Sequence, residues 1–164
     1  MDAGTGRIVA TVLTDKDADD GSRVGPLLDQ VDGPIASLTG DGAYDQEGVY
    51  GGVAARHPEA AVIVPPRSSA VPSEAAETTP TQRDRHLQVI AERGRMGWQR
   101  ASGYNRRARI RRARIEAAVS RYKRVIGDTL RSRTGRRRAT EVDVAVHALN
   151  RMLELGRPES VRIA

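Results

Sequence analysis

The 164 residues suffice for one domain, and the absence of cysteine excludes a disulfide framework and a thiolate metal site, which fits a reducing cytoplasm. The opening residues carry no basic-then-apolar signal, and the apolar run 60–64 is far too short for a bilayer, so neither export nor a membrane is expected. The net charge of +6 conceals a division: residues 93–138 hold 17 Lys or Arg against Glu116 and Asp128, while the rest of the chain holds 10 bases and 19 acids.

In chain order, residues 2–6 read as the tip of a β-hairpin, with Asp and Gly supplying the turn conformations. Residues 7–14, RIVATVLT, follow as a β-branched strand. Only Met1 precedes the turn, so the other arm of the hairpin is expected upstream and the chain to be an N-terminally truncated fragment; an ordinary short tail is the alternative. After the acidic loop 15–20, residues 24–31 give a short amphipathic helix with Leu27, Leu28 and Val31 inward, ended by Gly33-Pro34. Residues 35–39 read as a short strand running into Asp41, which Gly40 and Gly42 leave uncrowded. In open α/β sheets catalytic groups collect at such strand ends, although an Asp between glycines is more commonly a plain turn residue.

Residues 45–56 read as a helix weakened by Gly48, Gly51 and Gly52, and residues 61–64 as a buried strand stopped by Pro65-Pro66. Residues 68–80, rich in Ser, Ala, Glu, Thr and Pro, form an exposed loop. A helix over 81–93 puts Leu87, Ile90 and Ala91 inward, and the basic helical segment 93–138 follows. Thr140 caps a last helix through Leu155, with Ala145, Leu149, Met152 and Leu153 on one face. His57, His86 and His147 lack partners at ligand spacing and read as surface residues. With no Phe, one Trp and four Tyr, the core rests on Val, Ile, Leu and Ala and should be thin.

Within the basic segment, Ile115, Ala118, Val119, Tyr122 and Ile126 keep the rhythm of a helix burying one stripe. Arg112, Glu116 and Lys123 share a face beside it. Taken alone, Arg112 with Glu116 is an ordinary surface pair, and a charge run is usually a solvated face. Arginine dominates the segment, however, and its planar, permanently charged guanidinium suits phosphate, which makes nucleic acid the leading partner. The element order argues an α/β domain in which Asp41 and Glu116 can meet. Hard carboxylates beside a cationic surface suit Mg²⁺, which activates water or a 3′-hydroxyl for in-line attack on a phosphodiester.

Asp41-Gly42-Ala43-Tyr44-Asp45, the run from Trp98 to Asn105, Arg112 with Glu116 and Lys123, and Leu149-Asn150-Arg151-Met152 together resemble bacterial insertion-sequence transposases with a DDE catalytic domain. The resemblance covers essentially the whole chain, making residues 1–164 a partial domain of RNase H-like fold in the bacterial cytoplasm. It implies cutting and joining of DNA at transposon ends with two Mg²⁺ ions held by Asp, Asp and Glu. It also implies that Asp41 is the second Asp and Glu116 the Glu, both catalytic and metal-binding. The family's Tyr-x2-Arg-x3-Glu-x6-Lys signature falls on Arg112, Glu116 and Lys123, and the DNA contacts expected are Arg107, Arg112, Arg121, Lys123 and Arg124.

Two departures qualify what the resemblance implies. The first Asp of such a triad lies on a strand upstream of the hairpin, so residues 1–164 hold no counterpart of it. RRARI at 106–110 is repeated at 111–115, so Arg109 stands where the signature Tyr belongs and Tyr104 is displaced upstream. Five extra helical residues add about 7.5 Å of rise and about 140° of rotation. The chain is therefore expected to be inactive alone, working as a homo-oligomer or with a complementing upstream chain. The alternative is a non-catalytic basic DNA-binding or interaction protein derived from a transposase. An upstream reading frame encoding a strand that ends in Asp discriminates the two.

Overall fold

A computed structural model describes residues 1–15 and 17–156; Lys16 of the acidic loop and residues 157–164 of the expected domain lie outside the described residues. The elements are α1 Val24–Leu28, β1 Ser37–Thr39, α2 Glu47–Arg56, β2 Ala61–Ile63, α3 Gln82–Ser102, α4 Tyr104–Val125 and α5 Gly135–Leu155, with 3-10 turns at Gly21–Arg23 and Gly42–Tyr44. They divide into a mixed unit, Thr14–Arg112, and a second unit that joins Met1–Leu13 to Ala113–Ala164, with the boundary inside α4. Among the described residues no helix is long and apolar enough to cross a membrane.

In the mixed unit β1 and β2 run parallel, with Ser37 opposite Ala61, Leu38 opposite Val62 and Thr39 opposite Ile63. Parallel neighbours require a crossover, and α2 supplies it. Gly48, Gly51 and Gly52 do not break this helix, because Val49, Tyr50 and Val53 are buried with Val24, Leu28, Val62 and Val64 in one apolar cluster. Each glycine costs about 1 kcal/mol of helix propensity, whereas a fully buried valine contributes roughly 1.5 to 3 kcal/mol, so packing wins. α1 stops at Leu28, short of the expected 24–31, and leaves Leu27 and Val31 only half-buried. Asp29, just beyond it, is taken by Arg56 of α2, whose Nε donates to Oδ1 at 2.6 Å.

Thr81 begins α3 with a capping box: its hydroxyl accepts the Asp84 N–H at 3.2 Å, and Asp84 accepts the Thr81 N–H at 2.9 Å. Asp84 also takes the Ser73 N–H at 2.8 Å and its hydroxyl at 2.9 Å, and Arg83 Nη1 donates to the Val71 carbonyl at 3.0 Å, so the otherwise exposed loop 68–80 is pinned from the first turn of α3. The helix breaks at Gly94, where φ is +69°, a conformation that favours glycine, so the expected end near Arg93 is observed. Ala91 is exposed rather than inward, while Leu87 and Ile90 are half-buried. On the outer side of β2, the Gln82 carboxamide accepts the Val62 N–H at 2.9 Å and donates to the Ala60 carbonyl at 2.9 Å, satisfying backbone groups that a further strand would otherwise meet.

His86 is not the surface histidine expected. Its ring meets Trp98 edge-on at 5.5 Å and Tyr50 at 6.0 Å, while Trp98, 1% exposed, also packs on Tyr104 at 5.5 Å. Burial pushes the His86 pKa down, opposed by the charge of Asp45, and pushes the Tyr50 hydroxyl up.

In the second unit the hairpin tip is present. The Asp2 N–H donates to Arg7 O at 2.8 Å, the Gly6 N–H donates to Asp2 O at 2.9 Å, and Gly6 adopts φ +77°. The expected strand over 7–14 does not form, which reduces the expected three-stranded sheet to two strands among the described residues. β-branched composition specifies a surface fit for pairing, but the partner at Ile8 is a side chain: Asn150 accepts its N–H at 2.9 Å and donates to its carbonyl at 2.8 Å. α5 begins behind Thr134, upstream of the expected cap Thr140, whose hydroxyl donates to the Arg136 carbonyl inside the helix. Ala145 and Leu149 are buried and Leu153 is half-buried, but Met152 is exposed. The expected stripe on α4 is likewise buried only at Ala118, with Ile115 39% and Val119 48% exposed.

Candidate functional site

Asp41 follows the carboxyl end of β1 and caps the 3-10 turn Gly42–Tyr44, its Oδ1 accepting the Ala43 N–H at 3.0 Å. The carboxylate is exposed, at the strand end where the sequence placed it. The turn behind it is clamped from two sides. Arg67 donates through Nε to the Gly42 carbonyl and through Nη2 to the Ala43 carbonyl, both at 3.0 Å. Asp45, whose side chain is fully buried, accepts Arg83 Nε at 2.8 Å and the Arg67 N–H at 2.8 Å. A buried carboxylate persists only when paired and hydrogen-bonded, and Asp45 meets that condition. The roles of Asp45, Arg67 and Arg83 are not legible in the sequence, because no local pattern joins positions so far apart.

α4 runs unbroken through both copies of RRARI, so the repeat is absorbed as added helix rather than as a bulge. Tyr104, at its first position, is held by the Trp98 ring, and Glu116 is exposed three turns further on. Glu116 lines a shallow trough with Ile115, Val119, Ser120, Lys123 and Arg124 and belongs to none of the ion pairs found among the described residues. Of the expected DNA contacts, Arg112, Lys123 and Arg124 are exposed. Arg107 is exposed but donates to the Ser37 hydroxyl at 3.3 Å, and Arg121 is half-buried with its Nε enclosed. The first three are therefore the freer cations.

The oxygen donors of Asp41 and Glu116 have the hardness that Mg²⁺ requires. Among the described residues no group of three or more His, Cys, Asp or Glu side chains that could hold a metal ion is found. A family model described as Transposase DDE domain matches residues 1–151. No solved structure matches the chain.

Proposed function

Because the chain belongs to the family of transposases with a DDE domain, we propose that it binds duplex DNA through the arginine-rich face of α4 and carries, in Asp41 and Glu116, two of the carboxylates of a metal-dependent strand-cutting and strand-joining centre. The match over residues 1–151 is the observation that carries this reading. Family membership supports an RNase H-like fold, DNA as the partner and a divalent cation as cofactor. The exposed carboxylate of Asp41 at a strand end and the exposed Arg112, Glu116, Lys123 set on α4 support the assignment of sites.

Residues 1–164, assayed on their own, are proposed to bind DNA but not to cut it. Two-metal catalysis needs ligands holding both ions about 3.5 to 4 Å apart, and Asp41 with Glu116 supplies too few. The repeat turns Glu116 by about 140° about the helix axis from the phase that a five-residue-shorter helix would give it. A second chain bearing a strand that ends in Asp would supply a further carboxylate, which a homo-oligomer of identical chains would not.

The test is cleavage and strand transfer on labelled duplex DNA with Mg²⁺ or Mn²⁺. The chain alone should be inactive, addition of the complementing segment should produce metal-dependent cleavage, and deletion of residues 106–110 should increase it. Cleavage by the chain alone that Glu116→Ala abolishes would overturn the proposal of inactivity. Complemented cleavage indifferent to Asp41→Ala and Glu116→Ala would overturn the site assignment.

A further inference from the structure

Between α4 and the first turns of α5, residues 131–138 carry Arg131, Arg133, Arg136, Arg137 and Arg138, all exposed. Their backbone is fixed by an acid that pairs with none of their guanidinium groups. Glu141 accepts the Arg131 N–H through one oxygen and the Ser132 N–H through the other, both at 2.8 Å. These bonds, that from Arg131 foremost, hold its carboxyl below the ordinary range. Arg138 Nε donates to the Ser132 carbonyl at 3.0 Å and closes the loop from its far side.

The side chains of Arg131, Arg133, Arg136 and Arg137 enter no ion pair among the described residues. A fixed backbone with several unneutralised guanidinium groups is a repulsive arrangement that a ligand with repeated anionic oxygens relieves. All five cations are arginine, the side chain whose planar fork meets phosphate bidentately. No large apolar side chain stands exposed among them, which disfavours a lipid surface or an apolar peptide.

We propose that residues 131–138 form a second DNA-backbone surface, outside the α4 contacts assigned from the signature, and that Glu141 is its positioning residue. The proposal rests on the DNA-binding reading above and adds where, and through which fixed loop, the phosphates are held.

The experiment measures binding of the full 164-residue chain to a short duplex of arbitrary sequence between about 50 and 200 mM salt. Each lost phosphate contact removes about 0.9 from the slope of log affinity against log salt, so the combined variant R131A/R133A/R136A/R137A should lower that slope by about 3.6. Glu141→Gln separates positioning from charge: it adds one positive charge, yet it should weaken binding several-fold because a carboxamide cannot accept both N–H groups as the carboxylate does. Asp128→Asn, which adds the same charge in the same connection, should tighten binding slightly. An unchanged slope in the fourfold variant, or Glu141→Gln binding as tightly as Asp128→Asn, overturns the proposal. Failure of the unaltered chain to bind DNA at low salt overturns the DNA-binding reading itself, so the two failures are distinguishable.

Discussion

The two units of this chain are held together by different means. Residues 14–112 bury a cluster of Val, Leu, Tyr and Ala side chains between α1, α2 and the strand pair, with Trp98 enclosed nearby. The second unit, among its described residues, buries only Ala118, Ala145 and Leu149 of its apolar side chains and otherwise relies on polar fastenings such as Asn150 to Ile8 and Glu141 to the Arg131 backbone. Apolar burial scales with area and acts without direction, whereas a single hydrogen bond contributes only about 1 kcal/mol. The mixed unit is therefore built to be stable before any partner arrives. The arginine-rich unit buries little apolar surface among its described residues, in keeping with the proposed role of a surface that meets phosphates.

The largest effect that breaks this comparison is Trp98→Ala. Removing an enclosed indole should cost roughly 3 to 5 kcal/mol, against roughly 2 to 3 kcal/mol for Leu149→Ala in the helical unit. Urea melts followed by circular dichroism give both values, and equal costs would remove the distinction between the units.

Asp84→Asn comes next, at roughly 1 to 2 kcal/mol, because it spoils the capping box and frees Ser73. The Asp84 pKa is depressed, chiefly by the Ser73 N–H, so its contribution is fully present above the unfolded carboxyl value near 3.9 and is lost as pH falls through the lower folded value. Acid melts of the Asn variant should be flatter than those of the unaltered chain below about pH 4.

A smaller pH effect belongs to His86. Burial lowers its folded pKa, so its neutral form stabilises the fold above the unfolded value near 6.5, and that contribution is lost as pH falls further. Emission from Trp98, the sole tryptophan and an edge-on neighbour of His86, should change over this range, and His86→Gln should abolish the change. The smallest effect is expected from Asn150→Ala, about 1 kcal/mol at most. It should appear as faster amide exchange at Ile8, with the mixed unit unaltered.

Legibility in the sequence follows the same division. β1, α2 and β2 could be read because their apolar runs are bounded by Gly and Pro, and Gly94 marked the end of the first part of α3. Asp41 stands where the strand reading put it, since a strand end followed by glycines is a local signal. The strand over 7–14 was misread because composition reports fitness for pairing and not the presence of a partner. That Asn150 supplies the partner from 142 positions away leaves no local trace. Glu141 and Asp45 escaped for the same reason, their bonds being to backbone or arginine groups fixed by the fold. The stripe on α4 is buried only at Ala118, with Ile115 and Val119 exposed, because helical periodicity marks a face fit for burial and not the presence of a neighbour to cover it.

The claim that the arginine-rich residues meet DNA while the mixed core stands independent of it is tested most directly by hydrogen exchange with and without a short duplex at low salt. Protection should rise in peptides spanning residues 112–141 and remain unchanged in those spanning 24–64. Protection gained in 24–64 with none in 112–141 would contradict it.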